Sequence, residues 1–502
     1  MKVIIAYPPL ISAKGYPTLG QNRQFQYFTE PTYIYPVVPA QAATLLKRNG
    51  YDVLWLDSIA ENISRQEFIE IIKKEKPDLI AFETKTPVVK QHWKMIDELS
   101  SLSIDGKKVK TVLFGDHVTA LPEESMLNCK VDFILTGGDY DFLLLNLCNL
   151  IAKSSTFSLN SGTITKLEAG IWYRDDNRIS NTGKFKLDHE LDNIPFIDRD
   201  LTKWRNYAFK NGNYKLKPGT YIMSARDCWW GKCTFCSWPT LYPRFRSRSV
   251  NSVLDEVGIL IDKYGVKEIM DDSGSLPTGS WLSDFCNGAR QRGYNKDVYF
   301  DCNMRFGALN FEEYKSMKSA GFRLLLFGIE SANQSTLDRI NKNLKVEEII
   351  TSCKDARRAG LYPHITIMFG YPWETYDDAV KTLKLGRWLL LKGYAYTMQA
   401  TIVIPYPGSM LFDECRSNGW LKYSDWDDYD MTKPVMKTLI SDDKLKEMVE
   451  YMYKISLSPE FIFRKLISIR DLDDLKYYFM AAKKVIGHIA DFKRGKCSCR
   501  SN

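Results

Sequence analysis

Short apolar runs alternate with segments of helical periodicity along most of this chain, and that alternation limits the folds open to it. The first series of runs is Val3–Tyr7, Val53–Leu56, Leu79–Phe82, Thr111–Phe114 and Phe133–Leu135. Between them, a helical pattern starts at Pro39 and stops at Asn49-Gly50, and another carries Phe68, Ile71 and Ile72. Strands that alternate with helices predict a parallel, doubly wound sheet of Rossmann-like α/β class. Ligands of such sheets bind at the C-terminal strand ends. Here those ends are Tyr7-Pro8-Pro9, Thr84–Pro87, Gly115-Asp116-His117 and Thr136-Gly137-Gly138.

The pattern weakens between Ala152 and Pro218, where Ser, Thr, Asn and Asp predict a connector with a small hairpin around Asp175-Asp176-Asn177. It then returns with strands expected at Tyr221–Ser224, Glu268–Met270, Val298–Asn303, Arg323–Gly328, Tyr362–Phe369 and Thr397–Ile404. Six such units suggest a partial or complete six-unit (β/α) barrel, whose chemistry belongs at the strand C-terminal ends. Four segments follow: a sheet domain over 1–152, a connector over 153–217, a barrel over 218–423, and a small helical cap with a basic tail over 424–502. At 502 residues more than one core is expected. An apolar fraction of 44% with 26% charged residues excludes wholesale disorder. No apolar run is long enough to span a membrane, and the first residues lack a signal-peptide h-region, so a cytoplasmic protein is expected. The net charge of +8 has one concentration, Lys483, Lys484, Lys493, Arg494, Lys496 and Arg500, which reads as a solvated tail and not as a nucleic-acid surface.

Eleven cysteines in such a chain do not predict disulfides. Most are scattered and expected to be small buried hydrophobes. Cys228, Cys233 and Cys236 are not: they form a C-x4-C-x2-C group directly after the first expected barrel strand. Three close thiolates suit a soft metal or an iron–sulfur cluster. A structural zinc site would want a fourth ligand, and the nearest upstream histidine is His189. Cys497 and Cys499 on the tail read as unligated, the other reading being a second cluster.

With these residues in view, the chain resembles the cobalamin-binding radical S-adenosylmethionine (SAM) enzymes over about residues 1–420. Phe235 precedes the last cysteine as in that family. Phe327-Gly328-Ile329-Glu330-Ser331 is similar to its Gly-Ile-Glu-Ser strand end, Gly370-Tyr371-Pro372-Trp373-Glu374-Thr375 to its Gly-x-Pro-Gly-Glu-Thr turn, and Pro405-Tyr406-Pro407-Gly408-Ser409 to its Pro-x-Pro-Gly-Thr segment. Gly115–Glu124 resembles its Gly-Gly-Pro-His-x-Thr-x-x-Pro-Glu loop. There are four departures. The cysteine spacing is one residue longer than the family's C-x3-C-x2-C, Trp373 replaces a glycine, and Gly137-Gly138-Asp139 stands where Gly-Glu-Gly-Glu is common. The Asp-x-His-x-x-Gly motif that supplies a lower cobalt ligand is absent.

The resemblance implies a [4Fe-4S] cluster on Cys228, Cys233 and Cys236, with an open iron that chelates SAM. It implies SAM contacts from Phe235, Asp271, Asp272, Arg305, Glu330 and Ser331. It further implies cobalamin against Tyr7, Pro8, Thr86, Gly115, Asp116, His117, Thr119, Gly137 and Gly138, without a histidine on cobalt. Structural readings stand beside these: strand-end caps for the carboxylates, an ion pair for Arg305, and a packed loop histidine for His117. The implied reaction is reductive cleavage of SAM to a 5′-deoxyadenosyl radical, hydrogen abstraction, and methyl transfer from methylcobalamin to an unactivated carbon of a small molecule or peptide. A reducing partner such as flavodoxin or ferredoxin is implied with it. A ring-forming or rearranging radical enzyme and a non-catalytic metal-binding or assembly protein are the other readings. The aromatic residues Trp229, Trp230, Trp420, Tyr423, Trp426 and Tyr429 are expected either in the core or around a substrate pocket.

Overall fold

A computed structural model describes residues 1–18, 27–153, 165–175 and 178–494. The first sheet comprises β1 (Lys2–Tyr7), β2 (Asp52–Asp57), β3 (Leu79–Glu83), β4 (Lys110–Phe114), β5 (Phe133–Leu135), β6 (Ile171–Asp175) and β7 (Arg178–Asn181). Its spatial order is β7-β6-β5-β4-β3-β1-β2. Strands β1 to β5 run parallel, and the β6–β7 hairpin adds antiparallel to β5. The expected hairpin is therefore present, and it extends the first sheet; Asp176 and Asn177 themselves lie outside the described residues. Strands β1, β3, β4 and β5 are buried almost throughout, the signature of a parallel sheet covered on both faces. Helix α1 (Val37–Arg48) lies in one covering layer, and Phe68, Ile69, Ile72 and Trp93 belong to the core on the other face.

The second sheet is β8 (Gly219–Ile222), β9 (Glu268–Asp271), β10 (Tyr299–Met304), β11 (Phe322–Glu330), β12 (Tyr362–Phe369) and β13 (Thr397–Ile402), hydrogen-bonded in chain order and parallel throughout. All six expected units are there. Strand β8 ends two residues before the expected Ser224. Beyond Ile222 the Ser224 N–H turns to the Asp271 carboxylate (3.2 Å), and the Asp272 N–H closes on the Ile222 carbonyl (2.9 Å), so the backbone leaves the ladder. Three helices end the described chain: α2 (Asp442–Ile455), α3 (Pro459–Ile467) and α4 (Leu472–Arg494). No helix among the described residues is long and apolar enough to cross a membrane.

At the N-terminal strand ends of the second sheet, Arg323 is almost fully buried and donates to Glu268 and to Asp301 (2.9 Å). Tyr477 of α4 packs over the guanidinium at 5.8 Å. Removing the cation leaves two buried carboxylates with no counter-charge, a loss of about 3–5 kcal/mol. Arg323→Met is therefore expected to lower the denaturation midpoint strongly, while Arg357→Met, at a partly buried guanidinium that bonds only backbone carbonyls, changes it less.

Candidate active site at the sheet edges

The three cysteines fall on the loop after β8, and all three are half-buried, outside any disulfide, on one cavity of about 240 Å³ at the C-terminal end of the second sheet. Among the described residues no three His, Cys, Asp or Glu side chains converge tightly enough for a single metal ion. The thiols instead stand around a shared space. Phe235, Asp272, Arg305 and Glu330 line that space with them, as do Lys342, Asn303 and Tyr406. Asp271 and Ser331 do not. Asp271 accepts from Ser224 N, Ser273 N (2.9 Å) and Ser273 Oγ (2.5 Å), and Ser331 Oγ donates to Glu374 (2.6 Å), so both brace the loops behind the cavity.

The widened cysteine loop is held from one side by the turn Ile340–Lys342. The Thr234 N–H donates to Ile340 O (2.9 Å), Trp230 Nε1 donates to Asn341 O (2.8 Å), and Arg305 Nη2 donates to Lys342 O (2.5 Å). Arg305 also sits over the Trp229 and Trp230 rings, at 5.3 and 4.9 Å, with Nη1 4.0 Å from Cys233 Sγ. Burial pushes the Cys233 thiol up, and the nearby Lys342 and Arg305 charges oppose it. Glu330 adopts φ +64°, a strained geometry for a non-glycine residue, and accepts from Lys342 Nζ (2.7 Å). Gly328 makes that possible: a Cβ there would lie 2.0 Å from Glu330 Oε1.

The residues expected to meet cobalamin form a separate group at the C-terminal edge of the first sheet. Tyr7 is buried and donates to Glu83, and Pro8 is buried beside it. Lys85 lies between Glu83 (3.9 Å) and Asp116 (3.6 Å). Gly115, at φ +122°, passes so close to Thr84 that a Cβ would stand 2.4 Å from its carbonyl oxygen. Thr119 Oγ1 donates to Gly115 O (2.7 Å) and accepts from Gly137 N (3.0 Å). His117 is fully buried, with Nδ1 3.1 Å from Thr86 Oγ1 and Nε2 3.3 Å from Glu124 Oε2. Trp426 lies edge-on to it at 5.3 Å and donates to Glu124 (2.9 Å). Trp426 is thus drawn to the first sheet, and Trp420, Tyr423, Trp426 and Tyr429 all stand outside the cavity lining; Tyr406 and Met431 supply that wall instead.

One seam joins the two edges. The Gly138 N–H donates to Leu241 O (2.9 Å), in the short helix Trp238–Leu241 that follows Cys236. A Cβ on Gly137 or Gly138 would run into the rings of Phe185 and Tyr242, respectively. The two-residue strands Ala225–Arg226 and Arg246–Ser247 pair antiparallel and set Arg226 opposite Arg246. Both guanidiniums converge on Asp139, at 2.7 and 2.6 Å, and Arg226 also grips Asp141 and Gln41. His189 completes the cluster between Asp139 (3.1 Å) and Glu168 (2.9 Å). Burial alone would push Asp139 up, but Arg226, His189 and Arg246 hold it well below the usual carboxylate range.

The donor set fits a cluster: three half-buried cysteine sulfurs on one cavity beside two cations. Toward SAM the cavity offers the Glu330 and Asp272 carboxylates and the Phe235 ring. At the seam the Gly115, Gly137 and Gly138 faces pack against Thr84, Phe185 and Tyr242 of this chain, and both His117 nitrogens already face Thr86 and Glu124, so His117 is engaged within the chain. Sequence reasoning missed Arg226, Asp139, Asp141 and Lys342. Arg226 precedes the first cysteine by two positions and Asp139 follows a Gly-Gly pair, yet no local spacing links them; Lys342 carried no signal.

Fold and site together define a two-sheet α/β protein with three cysteines on one cavity at the mouth of a parallel barrel-like sheet. Residues 222–386 match the Radical SAM superfamily. An uncharacterized methyltransferase of Pyrococcus horikoshii is 28% identical over 94% of this chain and 95% of its own length. An anaerobic magnesium-protoporphyrin IX monomethyl ester cyclase of Cereibacter sphaeroides is 24% identical over 80% of this chain and 63% of its own. Among solved structures, the cobalamin-dependent SAM radical enzyme OxsB with aqua-cobalamin and SAM bound superposes with a TM-score of 0.65 at 15% identity, covering 97% of this chain and 71% of OxsB. The radical SAM methyltransferase TsrM of Kitasatospora setae, with cobalamin and a [4Fe-4S] cluster bound, gives 0.63 at 14% identity, covering 83% and 78%. The second-sheet region thus matches the Radical SAM superfamily, and the fold as a whole is similar to that of the cobalamin-dependent radical SAM enzymes TsrM and OxsB.

The seam titrates. Burial lowers the His189 pKa, but the Asp139 and Glu168 carboxylates outweigh that and lift it to about 9. A folded pKa above the ordinary value of 6.5 means the stabilisation is fully present below pH 6.5 and is lost as pH rises through 9. The thermal midpoint is expected to fall between these values, and His189→Gln is expected to flatten that fall. An equal fall in both proteins would contradict the assignment.

Proposed function

We propose that this enzyme is a cobalamin-dependent radical SAM methyltransferase that methylates an unactivated carbon of a small molecule or peptide. The observation that carries the reading is the joining of two strand-end sites: the three-thiol cavity and the glycine-edged seam meet through Arg226, two residues before Cys228. In this reading Cys228, Cys233 and Cys236 hold a [4Fe-4S] cluster. Glu330, Asp272 and Phe235 face SAM, and cobalamin lies against the loops at Gly115–Thr119 and Thr136–Gly138. When bound, the cluster supplies the electron for reductive SAM cleavage and cobalamin carries the methyl group.

The chain's own residues bind, orient and shield. Arg305 and the Ile340–Lys342 turn hold the cysteine loop, and Lys342 orients the Glu330 carboxylate toward the cavity. Met368, Ile402, Ile404 and Met431 form apolar wall that keeps water from the reacting atoms. A low-potential donor of the flavodoxin or ferredoxin class would supply electrons, and cysteines outside disulfides suit a reducing cytoplasm. The cyclase relative supports a second reading, radical ring formation on the same scaffold without methyl transfer.

Anaerobic reconstitution with iron, sulfide and hydroxocobalamin, followed by desalting and metal counting, tests the first reading. About four irons and one cobalt per chain are expected. Cys228→Ala should lose most of the iron and keep the cobalt. Iron without retained cobalt would sink the methyltransferase reading and leave the ring-forming one.

A further inference from the structure

Arg305 follows the end of β10, and its guanidinium is held against the cysteine loop. Nη2 donates to Lys342 O (2.5 Å), the Trp229 and Trp230 rings lie at 5.3 and 4.9 Å, and Nη1 stands 4.0 Å from Cys233 Sγ. Trp230 is itself fixed through Nε1 to Asn341 O (2.8 Å), so the guanidinium is wedged between the widened loop and the turn that braces it. Its Nε is buried and has no acceptor among the described residues, an unsatisfied donor on a side chain that lines the cavity. Lys342 is buried and brings a second cation to the same cavity, with Nζ 2.7 Å from Glu330. Burial disfavours the Cys233 thiolate, and Lys342 and Arg305 favour it. A guanidinium that grips a carboxylate presents a parallel pair of N–H groups to it. Here one nitrogen is spent on a backbone carbonyl and another is directed at sulfur.

We propose that Arg305 acts on the cluster and not on SAM: it donates to the Cys233 sulfur and, with Lys342, raises the reduction potential of the [4Fe-4S] cluster. This rests on the cluster reading given above. Three thiolates outweigh the charge of an oxidised four-iron core, so the site is anionic before the electron arrives and more so after it. Fixed positive charge and N–H···S bonds favour the reduced state, and exclusion of water strengthens both effects. The two cations thereby bring the cluster within reach of a low-potential electron donor.

Equilibrium redox titration of the anaerobically reconstituted full chain, followed by the [4Fe-4S]⁺ electron paramagnetic resonance signal without SAM, tests the proposal. Arg305→Met is expected to lower the midpoint by about 60 mV, a tenfold change in the one-electron equilibrium. Arg305→Lys keeps the charge and should lower it by less. Lys342→Met leaves in place the backbone carbonyl that holds Arg305, and should lower the midpoint as well. Adding SAM should still reshape the Arg305→Met signal. Midpoints unchanged in both methionine variants, with or without loss of iron, would overturn the proposal and leave Arg305 as a brace for the loop. An Arg305→Met signal indifferent to SAM would also overturn it, returning Arg305 to SAM binding. An unaltered enzyme with no [4Fe-4S]⁺ signal is a distinct result, and would overturn the cluster reading and this proposal together.

Discussion

The buried pairing of Arg226 with Asp139 and Asp141 is the interaction on which the rest of this molecule depends. It ties the first residues of the cysteine loop to the helix start beyond β5, so the C-terminal edges of two separate sheets face one seam. A guanidinium this deeply buried persists only with its carboxylates in place, because stripping one partner leaves an unpaired charge out of water. Arg246 and His189 add to the same Asp139, which makes the seam a network and not a single pair. Radical chemistry asks for rigid placement and exclusion of water, and a network of this kind supplies the first.

Much of the fold was legible in the sequence, because buried parallel strands read as apolar runs and only their ends are ambiguous. Strands β5 and β12 fall where their runs place them, and most of the others differ by a residue or two. The end of β8 was not legible, since a side chain from the neighbouring strand, Asp271, decides where its ladder stops. The cysteine group was legible by spacing alone. Its supports were not: Arg226 and Asp139 are 87 residues apart, and Arg305 reaches a backbone carbonyl 37 residues on. The positive φ of Glu330 is equally silent in sequence, although the glycine two positions before it is the trace of that crowding. Cys497 and Cys499 lie outside the described residues.

Of the aromatic residues between 420 and 429, Tyr429 is buried and Trp420, Tyr423 and Trp426 are half-buried, all away from the cavity. Trp426 is held by Glu124 and His117 of the first sheet, and Lys90 binds Asp425 and Asp427 at the same junction. The segment after the second sheet therefore closes over the first, packing His117 away. The cavity wall is drawn instead from strand-end residues such as Gln399, Ile402 and Tyr406.

The central claim is that the three-cysteine cavity holds a four-iron cluster with one iron open to SAM. Low-temperature electron paramagnetic resonance of the reduced, reconstituted enzyme, recorded with and without SAM, tests it most directly. The account predicts a [4Fe-4S]⁺ signal that changes shape when SAM is added and disappears in Cys233→Ala. A signal indifferent to SAM, or a protein that takes up zinc and no iron under the same conditions, would contradict it.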